Sequence, residues 1–433
     1  MTAIAAEETA KAASPPLRWY VLVVMCGVYA ISIADRYVMS TVLEPIRLEL
    51  GLTDSGVAFL TGVSLALFYV TLGIPISWLA DRMNRRNILA ISLIAWSAMS
   101  ALCGLSRTYG QLLAARIGVG VGEAGGTPPA NSIIADYFPA GRRPMAMAVF
   151  ALGAPIGAWL GADMAGAVAK AWGWRAAFLA LGIPGVVVGL LVWLTVREPR
   201  RGRLDVGDDG ATPSFMQTMR FLLRQKACLH VMMGGGLSAL WGWGLMWFTP
   251  TFLQRAYHLD VGQAGALLGP IHLVAGVAAS LITAWLLSRP MFADPRRVVW
   301  LLAAVTALAT VPSFIVYLTH SLAVARVMLW LFIPAIYFYI GPAMALVQNL
   351  SPPKMRAMFI AVSLLLANVL NLIVAPQAVG WMSDHFAGPR GADAQSLRLA
   401  LLILAPSGFW AAWHYWAAHR TIVEGQRKAV GYV

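Results

Sequence analysis

The chain has 433 residues, of which 59% are hydrophobic and only 12% are charged, and its mean hydropathy is +0.70. This composition excludes a soluble globular domain, in which about a quarter of the residues are charged, and it indicates an integral membrane protein. The net charge of +13 does not indicate a nucleic-acid partner, because basic residues collect in cytoplasmic loops beside membrane spans and contact anionic lipid headgroups.

Twelve apolar stretches follow one another along the chain, each long enough to cross about 30 Å of hydrocarbon as a helix. They lie near residues 18–46, 54–80, 87–106, 109–135, 143–169, 174–196, 226–257, 262–288, 296–319, 321–350, 355–384 and 396–420. The long polar segment at 197–225 divides them into two groups of six. The predicted fold class is therefore an all-α membrane protein with twelve transmembrane helices in two pseudo-symmetric six-helix bundles.

The predicted organisation has five parts. They are a disordered cytoplasmic tail at 1–17, a six-helix bundle at 18–196, a cytoplasmic linker ending in an amphipathic helix at 197–225, a second bundle at 226–420 and a cytoplasmic tail at 421–433. The first of these lacks the basic start, short apolar core and cleavage site of a signal peptide. With the N-terminus inside, most of the 32 Lys and Arg fall on the cytoplasmic side, so both termini are predicted to be cytoplasmic.

Cysteines and nucleotide motifs give no sign of a bound group. Cys26, Cys103 and Cys228 lie in apolar stretches without CxxC spacing, so neither a disulfide nor a metal site is expected. The chain has no Walker-type phosphate loop, which argues against ATP as the energy source. We therefore expect no cofactor, and a proton gradient is the expected source of energy.

Four charges interrupt the first and fourth apolar stretches: Asp35, Arg36, Arg116 and Glu123. Charges at this depth in a bilayer are unfavourable and generally mark a transport path. Arg116 and Glu123 are seven residues apart, so they share a helix face at a separation of about 10 Å. Asp35 and Glu123 lie at comparable depth.

A proton-binding role follows from the chemistry of these residue types. Burial favours the neutral carboxyl group and a neighbouring arginine favours the carboxylate, so breaking and reforming such a pair switches proton binding. We therefore expect Asp35 and Glu123 to bind protons, with Arg36 and Arg116 as their charge partners or as anchors for an anionic group. The alternative is a static network that holds the first helix against the fourth.

Charges at the cytoplasmic ends of the spans predict a second device. These charged residues are Asp81, Arg82, Arg85, Arg86 and Asp136. Opposite charges at these positions are expected to form a cytoplasmic gate that holds the halves together and releases as the cavity opens inward. For the basic residues the alternative is the positive-inside signal alone.

The second half is expected to provide an apolar cavity wall. Trp241 and Trp247 place aromatic rings on the seventh span, and Asn368 and Asn371 are polar residues within the eleventh. Such a surface suits a lipid-like molecule with one polar end, and helix packing is the alternative. Three further residues interrupt apolar stretches and are kept as secondary candidates: Asp163, His272 and Arg326.

The two halves also resemble each other in sequence. LTDSGVAFLTG at 52–62 is similar to LDVGQAGALLG at 259–269, and LLAAR ending at Arg116 is similar to LAVAR ending at Arg326. Duplication of this kind is typical of transporters that bind their substrate between two related halves.

Several motifs resemble those of the major facilitator superfamily. GIPISWLADRMNRR at 73–86 is similar to its signature loop, with Asn84 where the family has glycine, and RIGVGVGEAG at 116–125 is similar to its fourth-helix motif. The resemblance implies gating for the first motif and proton coupling for the second. Five more segments resemble the Spinster subfamily: ADRY at 34–37, GVGEAG at 120–125, IIADYFP at 133–139, SPPKMRA at 351–357 and APQAVGWMSD at 375–384.

The Spinster resemblance implies a secondary active transporter that works by alternating access and is not an enzyme. It also implies an amphipathic anionic or zwitterionic lipid substrate, such as a lysophospholipid or a sphingosine-phosphate-like molecule. Two alternatives stay open: a proton-coupled symporter of a small organic anion such as a sugar acid, and a receptor or sensor built on the carrier fold. The expected partners are membrane lipid, protons and the substrate, with the protein acting as a monomer in a bacterial inner membrane.

Overall fold

A computed structural model of the chain describes residues 15–80, 82–139, 142–199 and 214–431. These ranges are almost entirely helical and contain no β-strand. Most of the predicted N-terminal tail, Asp81 and residues 200–213 of the predicted linker lie outside the described residues.

Each of the first six apolar stretches forms a helix or a run of helical segments, named α1 to α6. They are α1 (Pro15–Thr41 and Leu43–Leu50), α2 (Asp54–Thr61 and Val63–Ala80), α3 (Arg85–Cys103), α4 (Tyr109–Glu123 and Thr127–Tyr137), α5 (Arg143–Ala151, Gly153–Trp159, the π-helical Leu160–Met164 and Ala165–Trp172) and α6 (Trp174–Thr195). The breaks between segments fall within the apolar sequence, so the segments of each stretch together form one span.

The last six stretches are helical as well, named α7 to α12. They are α7 (Lys226–Tyr257), α8 (Val261–Leu287), α9 (Pro295–Leu318), α10 (Leu322–Phe338 and Ile340–Asn349), α11 (Arg356–Asn368, the π-helical Val369–Val374 and Ala375–Ala387) and α12 (Ala394–Leu404 and Ser407–Ala418). A linker helix at Phe215–Arg224 precedes α7, and a short helix at Ile422–Val430 follows α12. The predicted twelve-helix fold class is confirmed.

Helical packing repeats between the two halves. In the first half α3 packs against α4 and α6, and α2 packs against α4. In the second half α9 packs against α10 and α12, and α8 packs against α10. These are the same pairs six helices further on, so the weak internal similarity of the sequence reflects a repeated arrangement of helices.

The halves meet most extensively along two pairs of helices, α5 with α8 and α2 with α11. The contacts are close because glycines line them: a Cβ atom added to Gly265 would overlap the carbonyl oxygen of Ala162, and one added to Gly62 would overlap that of Leu372. The contacts run from the extracellular helix ends, where Gly166 meets Val261, to mid-depth, where Gly276 meets Pro155. The interface thus closes the extracellular side.

Enlarging one of these glycines is expected to destabilise the closed interface. In Gly62→Ala the new methyl group meets backbone atoms of α11 that cannot move independently, and overpacking of this kind costs about 1–3 kcal/mol. Gly27→Ala is the matched control, because a Cβ atom there meets nothing within 4 Å. Thermal unfolding of the purified variants should show a lower midpoint for Gly62→Ala only. Equal midpoints for the two variants would contradict this account of the interface.

Candidate functional site

The four intramembrane charges form two ion pairs between α1 and α4. Nη1 of Arg116 donates to Oδ2 of Asp35 at 2.8 Å. Nη2 and Nε of Arg36 donate to Oε2 of Glu123 at 2.7 and 3.1 Å. The pairing brings all four predicted residues together, with each acid of one helix bonded to an arginine of the other.

Helix geometry explains this pattern. Arg116 and Glu123 lie two turns apart on one face of α4, as their spacing predicts. Asp35 and Arg36 are adjacent on α1 and leave the helix about 100° apart, so their side chains contact different residues of α4. The long arginine side chain spans the remaining distance to Glu123.

Hydroxyl and backbone groups complete the two pairs. Ser100 of α3 donates to Oδ1 of Asp35, and Ser32 of α1 donates to Oε1 of Glu123 at 3.2 Å. Nε of Arg116 donates to the carbonyl oxygen of Leu60 in α2 at 3.3 Å. Four helices of the first half therefore contribute to a single polar network.

The two pairs differ in their access to water. Asp35, Arg116 and Glu123 are at most 2% exposed, whereas the side chain of Arg36 is 14% exposed. A cavity of about 10 Å³, close to the size of one water molecule, lies against Ser32 and Trp96. Solvent therefore approaches the network at the Arg36–Glu123 pair, while the Asp35–Arg116 pair is sealed.

Aromatic residues of the second half pack against α1 next to this network. The ring of Tyr37, next to Arg36 in α1, lies 5.6 Å from that of Trp247, 6.1 Å from that of Trp243 and 4.9 Å from that of His272. These three residues lie on α7 and α8, so Tyr37 connects the charged half to the aromatic half. We call Tyr37, Trp243, Trp247 and His272 the aromatic wall.

Hydrogen bonds fix the orientation of the wall. Nε1 of Trp247 donates to Oδ1 of Asn371 at 2.9 Å, within the π-helical part of α11. Nδ1 of His272 lies 2.9 Å from the hydroxyl oxygen of Tyr337. Asn368 is half-buried nearly one turn before Asn371 in α11. Three of the predicted second-half residues therefore lie together: Trp247 bonds Asn371, and the ring of Tyr37 contacts both Trp247 and His272.

Trp241 does not belong to this wall, so its predicted place in the cavity needs correction. Its Nε1 donates to Oγ of Ser313 at 3.1 Å, its ring lies 4.9 Å from that of Phe332, and it is 1% exposed. Residues two apart on a helix point about 200° apart, so Trp241 faces the interior of the second half while Trp243 faces Tyr37. Trp243 takes the position that we expected for Trp241.

The predicted cytoplasmic gate is an ion-pair cluster within the first half. Nη1 of Arg85 donates to Asp136 at 2.5 Å and its Nε donates to Glu198 at 2.8 Å. The cluster therefore ties α3 to the end of α4 and to the segment that follows α6. We expected these charges to hold the two halves together. The contacts described for Arg85 and Asp136 do not do so, because all of their partners belong to the first half.

The remaining predicted gate residues surround this cluster. Arg86 donates its backbone N–H to Glu198 at 2.8 Å and its guanidinium to Asn87. Arg82 lies on the exposed cytoplasmic turn between α2 and α3, and Asp81 lies outside the described residues.

A gate that the sequence did not reveal joins the halves on the extracellular side. Nη2 of Arg255, at the end of α7, lies 2.6 Å from Glu44 of α1 and 2.6 Å from Asp54 of α2. The carboxylate of Asp384, at the end of α11, accepts the backbone N–H groups of Asp54 and Ser55 at 2.9 and 2.8 Å. We call Glu44, Asp54, Arg255 and Asp384 the extracellular latch.

Each latch residue occupies the end of a span, where a charge is ordinary, and this explains why it was missed. One signal was present: Arg255 is a base on the side of the membrane that the positive-inside rule depletes. It is nearly buried, with its side chain 7% exposed, and the Asp54 side chain is not exposed at all.

A second, weaker contact between the halves lies at the rim. Nζ of Lys170, at the end of α5, lies 2.9 Å from Asp260, which caps the first turn of α8. The backbone hydrogen bond from Gln263 and the side chain of Lys170 together lower the pKa of Asp260. This pair is exposed to solvent, unlike the latch.

The rim pair is expected to make a small contribution to stability that depends on pH. Because the pKa of Asp260 is lowered in the folded protein, its contribution is present above the ordinary aspartate pKa of about 3.9 and is lost as the pH falls through the lowered value. Asp260→Asn should therefore lower the thermal midpoint slightly at pH 6, which corresponds to a loss of about 0–1 kcal/mol of stability, and this difference should diminish as the pH falls below about 3.9. A midpoint difference that first appears below pH 4 would contradict this sign.

Two secondary candidates lie away from the ion pairs. Asp163, in the π-helical part of α5, accepts Nε1 of Trp159 at 3.0 Å and faces Gly269 of α8. Arg326 lies on an exposed face of α10 near its extracellular end.

Comparisons with known proteins agree with this architecture. Residues 25–376 match the family model of the Major Facilitator Superfamily. The chain is similar to a solved bacterial homologue of the human lysosomal transporter Spinster in an inward-facing, unoccupied conformation, with a TM-score of 0.84, 29% identity, and coverage of 95% of this chain and 99% of that chain.

Sequence relatives include transporters with different named substrates. The chain is 30% identical over 423 residues to an MFS-type efflux pump of Mycolicibacterium smegmatis, and the match covers 95% of this chain and 96% of the relative. It is 25% identical over 376 residues to the sphingosine-1-phosphate transporter SPNS2 of Mus musculus, with 81% and 67% covered. It is 27% identical over 287 residues to a probable L-galactonate transporter of Escherichia coli, with 63% of each covered.

The repeated six-helix halves, the family match over most of the chain and the solved neighbour lead to one assignment. The chain belongs to the major facilitator superfamily, as an integral membrane transporter and not an enzyme, and it resembles the Spinster members of that family.

Proposed function

We propose that the protein is a proton-coupled secondary transporter that works by alternating access and moves an amphipathic molecule with an anionic or zwitterionic head. The observation that carries the proposal is the Arg36–Glu123 pair, buried at mid-depth in the first half and next to the aromatic wall. We further propose that it acts in the bacterial plasma membrane.

Competition for one guanidinium provides the coupling. Glu123 and an anionic head group are alternative partners for Arg36, and a buried charge that loses its partner is strongly unfavourable. Protonation of Glu123 removes its negative charge and weakens its bond to Arg36, which favours the arrival of the anion. Proton binding and substrate binding are thereby linked at a single pair.

The sealed Asp35–Arg116 pair is proposed to act with the first pair. Both pairs hold α1 against α4, so a change at one alters the position of the helix that carries the other. Asp35 is therefore a second proposed proton site. The scheme needs a proton gradient and no cofactor, and it is contained in one chain, so we propose a monomer as the working unit.

The aromatic wall supports a lipid-like substrate. Tyr37, Trp243 and Trp247 provide apolar area beside a single cationic group, which matches a molecule with a small charged head and an apolar tail. A relative named as a sphingosine-1-phosphate transporter is consistent with this chemistry. The proposed substrate class is therefore a lysophospholipid or a sphingosine-phosphate-like lipid.

One set of contacts favours a second candidate, a small organic anion such as a sugar acid. The amide of Asn371, which bonds Trp247, and the ring of His272, which bonds Tyr337, are polar groups that can also bond hydroxyl groups of a substrate. A relative named as a probable L-galactonate transporter is consistent with this reading. The same ion pairs would then couple protons to a compact polar substrate.

Transport by the purified protein in liposomes distinguishes the two candidates. The assay uses an imposed proton gradient and separate samples of labelled lysophosphatidylcholine, sphingosine phosphate and L-galactonate, with the gradient collapsed by an ionophore as the control. We expect the gradient to accelerate movement of a lipid at least several-fold. Gradient-dependent movement of L-galactonate alone would overturn the lipid assignment, and movement that is equal with and without the gradient would overturn the proton coupling.

A further inference from the structure

A cavity of about 530 Å³ lies between α8 and α10, away from the ion pairs. Its walls include Leu267, Ile271, Leu322 and Trp330, together with Arg326. The face of α8 that meets the first half carries Gly265 and Gly269, so the cavity lies on a different face of that helix. It is within the volume range of about 300–1,000 Å³ that ligand pockets occupy.

The position of the cavity corresponds to the outer leaflet. Leu259 precedes α8, and Leu322 is the first residue of α10, so both mark the extracellular ends of their helices. Arg326 lies about one turn, or roughly 6 Å, further in, and Trp330 lies one turn beyond it. An arginine and a tryptophan at successive turns are typical of the boundary between headgroups and acyl chains.

The cation in this cavity has no acidic partner from the helices that form it. Neither α8 nor α10 contains an Asp or Glu, and Asp260 at the start of α8 pairs with Lys170. Among the described residues, no ion pair involves Arg326. Arg326 also lies on the extracellular side, where the positive-inside rule makes basic residues less frequent. Its charge can be balanced by an anion from outside the protein.

We propose that the cavity binds one anionic phospholipid of the outer leaflet, with its phosphate on Arg326 and an acyl chain along Leu267, Ile271 and Trp330. A guanidinium bonds phosphate through two parallel hydrogen bonds, and the apolar walls exclude a fully polar ligand. Because the lipid contacts α8 and α10 together, it braces α8, the helix that closes the extracellular side against α5. This site is separate from the transport site and does not depend on the substrate.

Native mass spectrometry of the delipidated, full-length protein tests the proposal. The probes are phosphatidylglycerol, phosphatidylcholine and inorganic phosphate, each titrated into wild type and into Arg326→Gln. Wild type is expected to bind one phosphatidylglycerol at least about tenfold more tightly than Arg326→Gln does. The matched control is Arg107→Gln, which removes an exposed extracellular arginine elsewhere and should bind like wild type.

A second variant separates loss of the site from loss of the fold. Ala266→Trp places an indole ring in the cavity but keeps Arg326, and it should also lose the tight lipid while remaining folded. Equal phosphatidylglycerol affinity in wild type and Arg326→Gln would overturn the proposal. So would binding of inorganic phosphate as tight as that of the lipid, because the apolar walls would then have no role.

Discussion

Glu123→Gln is expected to abolish proton-driven accumulation of substrate and to leave exchange of substrate across the membrane largely intact. Glutamine has the shape of the protonated acid and can still accept a hydrogen bond from Arg36, but it cannot take up or release a proton. The variant therefore opens and closes around substrate without responding to the gradient. Initial gradient-driven uptake should fall at least tenfold, while counterflow of labelled against unlabelled substrate should persist.

Asp163→Asn is the matched control for this variant. Asp163 is a half-buried acid of the same half that bonds Trp159 and does not contact the ion pairs, so its neutralisation should leave accumulation intact. Asp35→Asn should lose accumulation as Glu123→Gln does. It is also expected to destabilise the protein, because it leaves the fully buried Arg116 without its partner, which typically costs about 3–5 kcal/mol. If both neutral variants still concentrate substrate against its gradient, these carboxylates are not the proton sites.

Arg255→Gln is expected to open the extracellular side. Arg255 bonds Glu44 and Asp54 in a nearly buried cluster, and its removal leaves these two acids with Arg47, a residue of the first half, as their remaining cation. Removing one member of a buried pair costs several kcal/mol, and this loss falls on the closed state alone. The balance between inward-facing and outward-facing forms should therefore shift by at least tenfold towards the outward-facing form.

Labelling of a single cysteine at position 40 measures this shift. Ser40 of α1 is buried one turn before the latch residue Glu44 and donates a hydrogen bond to the carbonyl oxygen of Trp247 in α7. A membrane-impermeant maleimide therefore reaches this position from outside only when the latch is open. The background replaces Cys26, Cys103 and Cys228. Ser40→Cys should react slowly alone and at least tenfold faster with Arg255→Gln.

The control for the latch is Arg175→Gln. Arg175 bonds Glu49 at 2.6 Å on the same side of the membrane, but both residues belong to the first half, and their side chains are 33% and 48% exposed. Breaking that pair should change the labelling rate by less than about fivefold, as expected for a surface ion pair. Labelling of the Arg255→Gln variant that is as slow as the parent would show that the four latch residues do not hold the extracellular side closed.

The number and order of the helices were predictable because membrane thickness imposes a minimum length on every apolar stretch. Even so, only nine helices of the described ranges are long and apolar enough to qualify by themselves. α7 is not among them, although most of it is buried, because its glycines, tryptophans and histidine lower its hydropathy. It was identified in the sequence as one of the twelve apolar stretches long enough to cross the membrane.

The ion pairs were partly predictable. Charges at bilayer depth are rare enough to stand out, so Asp35, Arg36, Arg116 and Glu123 were found from the sequence alone. The crosswise pairing was not determined in advance, because it depends on how α1 is rotated against α4 and how far an arginine reaches. Trp241 and Trp243 show the same limit: a helix that is apolar all round does not reveal which face meets the other half.

The extracellular latch was not found from the sequence, because the position of Arg255 is the one signal for it and no local pattern marks the other members. Its members come from α1, α2, α7 and α11, and each is an ordinary charge at a helix end until the halves meet. The cytoplasmic cluster of Arg85 and Asp136 carries a recognisable motif and drew attention to the wrong side. A motif identifies residues that interact, but the packing of the helices decides which elements they join.

Proton movement during transport tests the central proposal most directly. Liposomes containing the purified protein and an internal pH-sensitive dye are given substrate outside, with no proton gradient imposed and the membrane potential clamped. We predict that substrate addition changes the internal pH for wild type and for Asp163→Asn, and leaves it unchanged for Glu123→Gln. An equal pH change with Glu123→Gln would show that protons cross elsewhere, and substrate movement by wild type with no pH change would show that transport is not coupled to protons.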